Sequence, residues 1–232
     1  MIIVTGMHKS GTTLISEWLH NSGIKMIDHF PLPNKLEYSV GNQFERLSFL
    51  NLNNYILQMR NKSSLHLPQN IIRINDNLLD AFHSVRDYQK GNWGAKDPRI
   101  CLLLEEYIRI FPESEFIFVF RNPMEVARRY SKTNKINIFK SLKTWLVYNE
   151  SILDFIASHK ANYSIIEYGE LLKGEKTKLI ISKLYNLDLN KFRNKSNNTP
   201  STIFSFPYSI VDKIFFGGKI SKTYNKLKTA AI

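Results

Sequence analysis

The sequence has 232 residues, which is long for one compact domain and short for two. Its hydrophobic fraction of 43% is enough for a sizeable core and excludes a disordered chain. Thirty-two Lys and Arg residues against 20 Asp and Glu give a net charge of +12, which favours an anionic partner without choosing among nucleic acid, lipid and phosphorylated small molecules. The single cysteine, Cys101, excludes an internal disulfide and a cysteine-based zinc site.

Apolar strand-like runs alternate with helical patterns along the chain. Buried strands are predicted, in chain order, at 2–4, 93–96, 116–120 and 163–167. Helices are predicted at 12–21, 44–59, 71–88, 100–111, from 123 onward, 139–157 and 177–185. Strands separated by helices predict an α/β fold of three layers with a central parallel sheet. Residues 194–202 are polar and loop-like, so a domain is predicted over 1–194, followed by a basic extension over 195–232.

The strongest local signal is the turn between the first strand and the first helix, with the sequence GMHKSGTT. Gly6 and Gly11 allow the backbone to wrap an anion with its N–H groups, and the following helix directs its positive end to the same place. Thr12 and Thr13 add hydroxyls, and Lys9 adds a positive charge. The turn is not a Walker A motif, which requires lysine where this chain has Thr12.

A second signal follows the apolar strand at 116–120, which ends in Arg121-Asn122-Pro123. In nucleotide hydrolases a strand of this kind often ends in an aspartate that helps to hold magnesium. A cation at the carboxyl end of a central strand instead recruits a second anionic group, because ligands of open α/β sheets bind there. Arg128 and Arg129 follow on the next predicted helix.

With these residues the chain resembles the sulfotransferases that use 3′-phosphoadenosine 5′-phosphosulfate (PAPS). Five segments carry the resemblance, in the family's order over about residues 1–190: the 5′-phosphosulfate loop (His8, Lys9, Ser10, Gly11, Thr12, Thr13), the Phe-Glu helix (42–45 and 51–54), the Lys-Asp-Pro segment (93–99), the 3′-phosphate motif (118–123) and a late Tyr-Glu-Asp-Leu-Leu motif (167–172). The resemblance implies a P-loop-like α/β fold, PAPS as co-substrate and no metal.

The resemblance also implies roles in the transfer step. Lys9 is expected at the bridging oxygen of the phosphosulfate, and Lys96 is expected to stabilise the transferring group from the opposite side. Cytosolic aryl and alcohol members have a histidine base where this chain has Pro98. Glu45 is therefore the predicted general base, with Asp97 as its rival because it adjoins Lys96.

For the nucleotide, the resemblance assigns the 3′-phosphate to Arg121. The family's serine eight residues later is Arg129 here, with Ser131 two residues further on, so either Arg129 or Ser131 completes the site. Tyr168 is expected near the adenine.

These roles describe sulfuryl transfer from PAPS to an acceptor hydroxyl, on a glycan or a lipid-linked sugar. One alternative is a P-loop kinase for a small metabolite, which would require magnesium and ATP, and Thr12 and Arg121 argue against it. Another is a basic protein that binds nucleic acid or a membrane surface. No nucleic-acid motif is found, so no nucleic-acid partner is predicted.

The segment 208–232 combines five lysines with large apolar residues. Gly217-Gly218 predicts a break between two short helices. The segment is expected to close over the acceptor side or to lie on an anionic membrane; the alternative is ordinary packing of Ile214 and Phe215 onto the domain. Because no apolar run reaches the roughly 18 residues that span a bilayer and the N-terminus does not resemble a signal peptide, a cytoplasmic location is expected, either free or associated with a membrane surface.

Overall fold

The computed structural model describes residues 1–27, 44–59, 76–89, 91–193 and 208–232. Within these ranges a parallel sheet forms with the strand order β2-β1-β3-β4. The strands are β1 (Ile2–Thr5), β2 (Gly94–Lys96), β3 (Glu115–Phe120) and β4 (Asn162–Glu167). All four strands predicted from the sequence are confirmed, with ends that shift by one residue.

The sheet is covered on both faces, because side chains of successive strand residues point to opposite sides. On β3, Phe116, Phe118 and Phe120 belong to one hydrophobic cluster, whereas Ile117 and Val119 belong to the other. Every one of these five side chains is fully buried. The fold is therefore α/β with three layers, as predicted.

Eight α-helices have bounds within residues 1–193, and two 3₁₀-helices accompany them. They are α1 (Thr12–Asn21), α2 (Leu47–Met59), α3 (Asp76–Tyr88), the 3₁₀-helix Pro98–Leu102, α4 (Leu104–Ile110), α5 (Pro123–Asn134), α6 (Ile138–Ser158), α7 (Tyr168–Lys173), α8 (Glu175–Tyr185) and the 3₁₀-helix Leu189–Lys191. One sheet face packs mainly against α2 to α6, and the other against α1, α7 and α8.

Two of the predicted helices differ in detail from those observed. The helix predicted over 100–111 is divided into a 3₁₀-helix and α4, and Asp97 caps the first turn of the 3₁₀-helix by accepting a hydrogen bond from the Arg99 N–H at 2.9 Å. The helix predicted over 44–59 begins only at Leu47, so Glu45 precedes it. The predicted helical residues 71–75 and the whole of the predicted loop at 194–202 lie outside the described residues.

The C-terminal segment forms two helices, α9 (Tyr208–Phe216) and α10 (Lys219–Ala230), as predicted. Gly217 and Gly218 separate them with positive φ angles of 59° and 77°. Helix α10 packs beside α6 and β4, with Ile220 and Leu227 buried in the core. Ile214 and Phe215, by contrast, remain exposed. The domain boundary predicted at 194 lies outside the described residues and stays a prediction.

Across the described ranges, no helix is both long enough and apolar enough to cross a membrane.

The burial of α10 leads to a stability prediction. Leu227→Ala removes a fully buried side chain, so we expect the free energy of unfolding to fall by about 2–5 kcal/mol, the usual loss for such a cavity. Lys226→Ala, on the same helix but exposed, is the matched control and should change it by less than about 0.5 kcal/mol. Urea unfolding followed by circular dichroism measures both. Equal effects of the two substitutions would show that α10 is not part of the cooperative core.

Candidate active site

Several of the predicted site residues lie at one edge of the sheet, because each ends or follows one of the four strands. Because all strands are parallel, their carboxyl ends lie together, which is where ligands of open α/β sheets bind. Lys96 ends β2, the turn at 6–11 follows β1, Arg121 follows β3 and Tyr168 follows β4. The strand order therefore places the turn between Lys96 on one side and Arg121 with Tyr168 on the other.

The turn is shaped by two close approaches that only glycine permits. A Cβ atom on Gly6 would lie 2.0 Å from the carbonyl oxygen of Val119 on β3. On Gly11, where φ is 104°, it would lie 2.0 Å from Cδ2 of Tyr168. Between them, exposed Lys9 adopts a left-handed backbone conformation with φ of 71°, which is uncommon for a residue with a side chain.

Two polar atoms of the turn have no hydrogen-bond partner among the described residues. They are the hydroxyl of Ser10, which is fully buried, and Nε2 of His8. Helix α1 begins here with Gly11 as its N-cap and receives no side-chain cap, so its first N–H groups point toward the turn. Because an unsatisfied buried hydroxyl costs about 1–3 kcal/mol, this arrangement fits a turn that completes its hydrogen bonds with an anionic ligand.

His8 is held in a neutral state. Its ring lies 5.8 Å from that of Tyr130 and 6.2 Å from that of Tyr148, between centroids. Burial lowers the pKa of His8 from 6.5 to about 4; the charge of Asp97 opposes the shift, while the nearby cations Arg99, Lys96 and Lys9 add to it. At neutral pH His8 therefore adds no charge to the turn.

Beside the turn, Glu45 forms a buried ion-pair network with Lys96 and Arg99. Its Oε1 accepts a hydrogen bond from Lys96 Nζ at 2.7 Å, and Oε2 lies 3.4 Å from an Arg99 terminal nitrogen. The side chains of Glu45 and Lys96 are only 7% and 3% exposed. Burial raises the pKa of Glu45 above its usual 4.5, with a further rise from Asp97 and opposition from Lys96 and Arg99. Glu45 is thus a stronger base than a free glutamate.

Asp97 belongs to the same network as Glu45, but its oxygens accept hydrogen bonds from a different set of groups. Its Oδ1 accepts hydrogen bonds from the backbone N–H and Nε of Arg99, and its Oδ2 accepts one from Asn53 at 2.9 Å. Asn53 in turn accepts a hydrogen bond from the Tyr107 hydroxyl at 2.8 Å. Asp97 is only 1% exposed, so its carboxylate stabilises the site from within the protein interior.

The segment that carries Glu45 is anchored by its neighbour Arg46. The Arg46 guanidinium donates hydrogen bonds to the carbonyl oxygens of Gly94 and Lys25 and to the side chain of Gln89, and it lies 5.2 Å from the Trp93 ring centroid. With 1% exposure, Arg46 is one of the largest fully buried side chains among the described residues. The sequence reasoning did not identify Arg46, and only its position next to Glu45 could have drawn attention to it.

At the other side of the turn, Arg121 lies over the Tyr168 ring, with 4.6 Å between guanidinium carbon and ring centroid. Arg121 also pairs with Glu125 one helical turn later, and its Nε donates to that carboxylate at 2.7 Å. An anion that binds Arg121 therefore competes with Glu125. The spacing of four residues was a readable signal for this pair, which the sequence analysis missed.

The two candidates that complete the Arg121 site lie on α5. The Ser131 hydroxyl donates a hydrogen bond to the carbonyl oxygen of Ile136, so its proton is already used at the helix end. Arg129 is half-buried and stands four residues after Glu125, hence on the same helix face. Both assignments stay predictions. In the described part of the chain, no three His, Cys, Asp and Glu side chains are grouped to hold a metal ion.

A comparison with protein families and known structures gives consistent matches. A model described as the sulfotransferase family matches residues 2–179. The sulfotransferase domain of the Synechococcus PCC 7002 olefin synthase has a TM-score of 0.52 and 16% identity, covering 86% of this chain and 80% of that chain. The sulfotransferase domain of the curacin biosynthetic pathway has a TM-score of 0.49 and 17% identity, covering 80% and 72%. Sulfotransferase STF9 from Mycobacterium avium has a TM-score of 0.46 and 14% identity, covering 86% and 68%. No curated protein matches at a significant level.

The burial of His8 leads to a second prediction. In the folded protein the imidazole should titrate with a midpoint near pH 4, because burial disfavours its charged form. Histidine resonances followed by NMR across pH measure this, and the spectrum of His8→Gln identifies the resonance. In the urea-unfolded chain the same imidazole should titrate near 6.5. A folded-state midpoint near 6.5 would show that the ring is open to solvent.

Proposed function

Because the chain belongs to the sulfotransferase family, we propose that it moves a sulfuryl group from PAPS to a hydroxyl of a carbohydrate acceptor, with Glu45 as the general base. The observation that carries this proposal is the buried hydrogen bond between Glu45 and Lys96, which stands beside the glycine-bounded turn at the carboxyl edge of the sheet. It brings a carboxylate with a raised pKa and a cation to the place where ligands of such sheets bind.

The turn has the features required to bind the 5′ end of the donor. PAPS, when bound, supplies an activated sulfuryl group and a phosphate that leaves with the nucleotide. We assign this phosphate to the backbone N–H groups of the turn, to the orphaned Ser10 hydroxyl and to Thr12 and Thr13. Lys9 is exposed at the tip of the turn and supplies positive charge to the leaving phosphate.

The other end of the nucleotide is assigned to the residues after β3 and β4. Arg121 provides the cation for the 3′-phosphate, and Arg129 or Ser131 completes this site from α5. Tyr168, which contacts both Gly11 and Arg121, presents an aromatic ring on the adenine side of the turn. Close contacts between Tyr168 and both neighbours support one continuous binding surface for the nucleotide.

On the acceptor side, the proposed chemistry begins with proton removal. Glu45 takes the proton of the acceptor hydroxyl as the new oxygen–sulfur bond forms. Once Glu45 is neutral, the Lys96 ammonium loses its anionic partner, so its charge becomes available to the oxygens of the transferring group. Arg99 and Asp97 act as positioning residues, because they hold this pair and the end of β2 in place.

Two features support a carbohydrate, whether a free glycan or a lipid-linked sugar, as the acceptor. Sugar hydroxyls are weak acids, so their attack benefits from a base whose pKa is raised, as burial does for Glu45. The histidine that serves aryl and alcohol acceptors is replaced by Pro98. No specific observation favours the kinase alternative, since Thr12 stands where its lysine would be and Arg121 where its acid would be.

The donor assignment predicts a metal-independent nucleotide response. Adenosine 3′,5′-bisphosphate, added with EDTA at a hundredfold excess over its dissociation constant, should stabilise the fold by about 2.7 kcal/mol, because it binds only the folded state. Thermal unfolding measures the shift, with ATP and magnesium as the comparison. A shift with ATP and magnesium but none with the bisphosphate would support the kinase alternative.

The base assignment predicts a loss of turnover without a loss of nucleotide binding. Glu45→Gln should lower kcat by about 10²–10⁴, because the amide cannot accept the proton, and should leave affinity for adenosine 3′,5′-bisphosphate unchanged. In the unsubstituted enzyme, kcat/KM should fall as pH drops through a midpoint above 4.5, because burial raises the pKa of Glu45. Steady-state transfer of the sulfuryl group from labelled PAPS to an oligosaccharide measures kcat and the pH dependence of kcat/KM.

Two further variants serve as controls for the base assignment. Glu105→Gln changes an exposed glutamate that pairs with His159 and should behave like the unsubstituted enzyme. Asp97→Asn should lower stability, because it weakens the contacts to Arg99 and Asn53, and should hurt turnover of the folded fraction less than Glu45→Gln. Normal turnover in Glu45→Gln, together with an inactive but folded Asp97→Asn, would reassign the base to Asp97.

A further inference from the structure

Helix α9 presents large apolar side chains to solvent. Ile210, Ile214 and Phe215 are 50%, 68% and 62% exposed. Phe139, at the start of α6, is 41% exposed and its ring lies 4.9 Å from that of Phe215. We call these four side chains the apolar patch. Single exposed apolar residues are ordinary, whereas a contiguous group on one helix and its neighbour marks an interaction surface.

The orientation of α9 is fixed by contacts on its inner side. Asp212 is 1% exposed, and its carboxylate accepts hydrogen bonds from the backbone N–H groups of Ile220 at 2.9 Å and Ser221 at 2.8 Å. Val211 and Phe216 pack against the main hydrophobic core. A rotation of α9 that buried Ile214 would therefore break both hydrogen bonds of Asp212. These contacts keep the apolar patch facing solvent.

The exposed charges on α9 and at the start of α6, which carry the apolar patch, are all positive. Asp212 is the only acid in 208–232, and it is buried. The exposed lysines of this segment and of the α6 start are Lys140, Lys143, Lys213, Lys219, Lys222, Lys226 and Lys228, and Lys228 lies 3.8 Å from a carboxylate oxygen of Glu167. Lys213 lies on α9 with three residues of the patch, and Lys140 and Lys143 follow Phe139 on α6. An apolar surface whose helices also carry exposed lysines complements a partner that offers negative charge at its surface and hydrocarbon beneath it.

We propose that the apolar patch binds the surface of an anionic lipid bilayer, with α9 lying in the plane of the interface. Ile210, Ile214 and Phe215 enter the boundary between headgroups and acyl chains, while the surrounding lysines contact lipid phosphates and carboxylates. A second copy of this chain is a poorer occupant, because the exposed charges on the helices of both patches would be positive and would repel each other. This inference does not depend on the proposed transfer reaction.

The test is sedimentation of the full chain with vesicles. We expect binding to phosphatidylcholine vesicles that contain roughly 30% phosphatidylserine, and weaker binding at higher salt or without phosphatidylserine. The variant Ile210→Ser/Ile214→Ser/Phe215→Ser should bind at least about tenfold more weakly. The matched control Leu179→Ser/Leu184→Ser changes two exposed leucines on α8, which are 43% and 55% exposed, and should bind like the unsubstituted chain.

Thermal unfolding followed by circular dichroism establishes that each variant is folded. If the triple variant does not fold, Ile214→Ser alone, at the most exposed position of the patch, takes its place. The proposal is overturned if the full chain does not bind anionic vesicles, if it binds neutral vesicles equally well, or if the patch variant binds as tightly as the control. It is also overturned if sedimentation equilibrium shows a dimer that the patch variant abolishes.

Discussion

The site depends on a group of four buried charges that balance one another. Glu45 and Asp97 face Lys96 and Arg99 in an interior where a lone charge would be costly. Removal of one partner from such a pair typically costs about 3–5 kcal/mol, because it leaves the other charge unpaired. This group of charges connects Glu45, which lies before α2, with Lys96 at the end of β2. The same electrostatic balance that stabilises this corner therefore also holds a carboxylate with a raised pKa beside a cation at the carboxyl edge of the sheet.

The parallel sheet turns a linear series of motifs into one surface. Residues 9, 96, 121 and 168 are widely separated along the chain, yet each follows or ends a strand and so lies at the same edge. The strands, the turn between Gly6 and Gly11 and the break at Gly217 could be predicted because apolar runs and glycine positions are local signals. Local signals also placed Arg121 at a strand end. The order β2-β1-β3-β4 could not be read in this way, since it depends on how connections cross the sheet.

Contacts between distant residues account for what the sequence did not reveal. Arg99 belongs to the Lys-Asp-Pro segment, but no pattern in the sequence indicated its partners: its guanidinium donates hydrogen bonds to Asp97 and Asn54, and its side chain is 12% exposed. Asn53 donates a hydrogen bond to Asp97 across 44 residues of sequence, and the Tyr107 hydroxyl donates one to Asn53 across 54 residues. Such partners follow no helical or strand periodicity. The exposure of Ile214 is another case. Its hydrophobicity alone predicts burial, but the buried and hydrogen-bonded Asp212 fixes the orientation of α9 and leaves Ile214 facing solvent.

The way in which Arg46 is held has an evolutionary consequence. Two of its hydrogen-bond acceptors are backbone carbonyl oxygens, those of Gly94 and Lys25. Every residue type provides a carbonyl oxygen, so sequence drift at position 25 leaves that acceptor in place. The location of Glu45 is thus insensitive to the identity of this partner but depends on a single arginine. Among related chains with different surfaces, we expect the arginine to persist while the residue that supplies the Lys25 carbonyl varies freely.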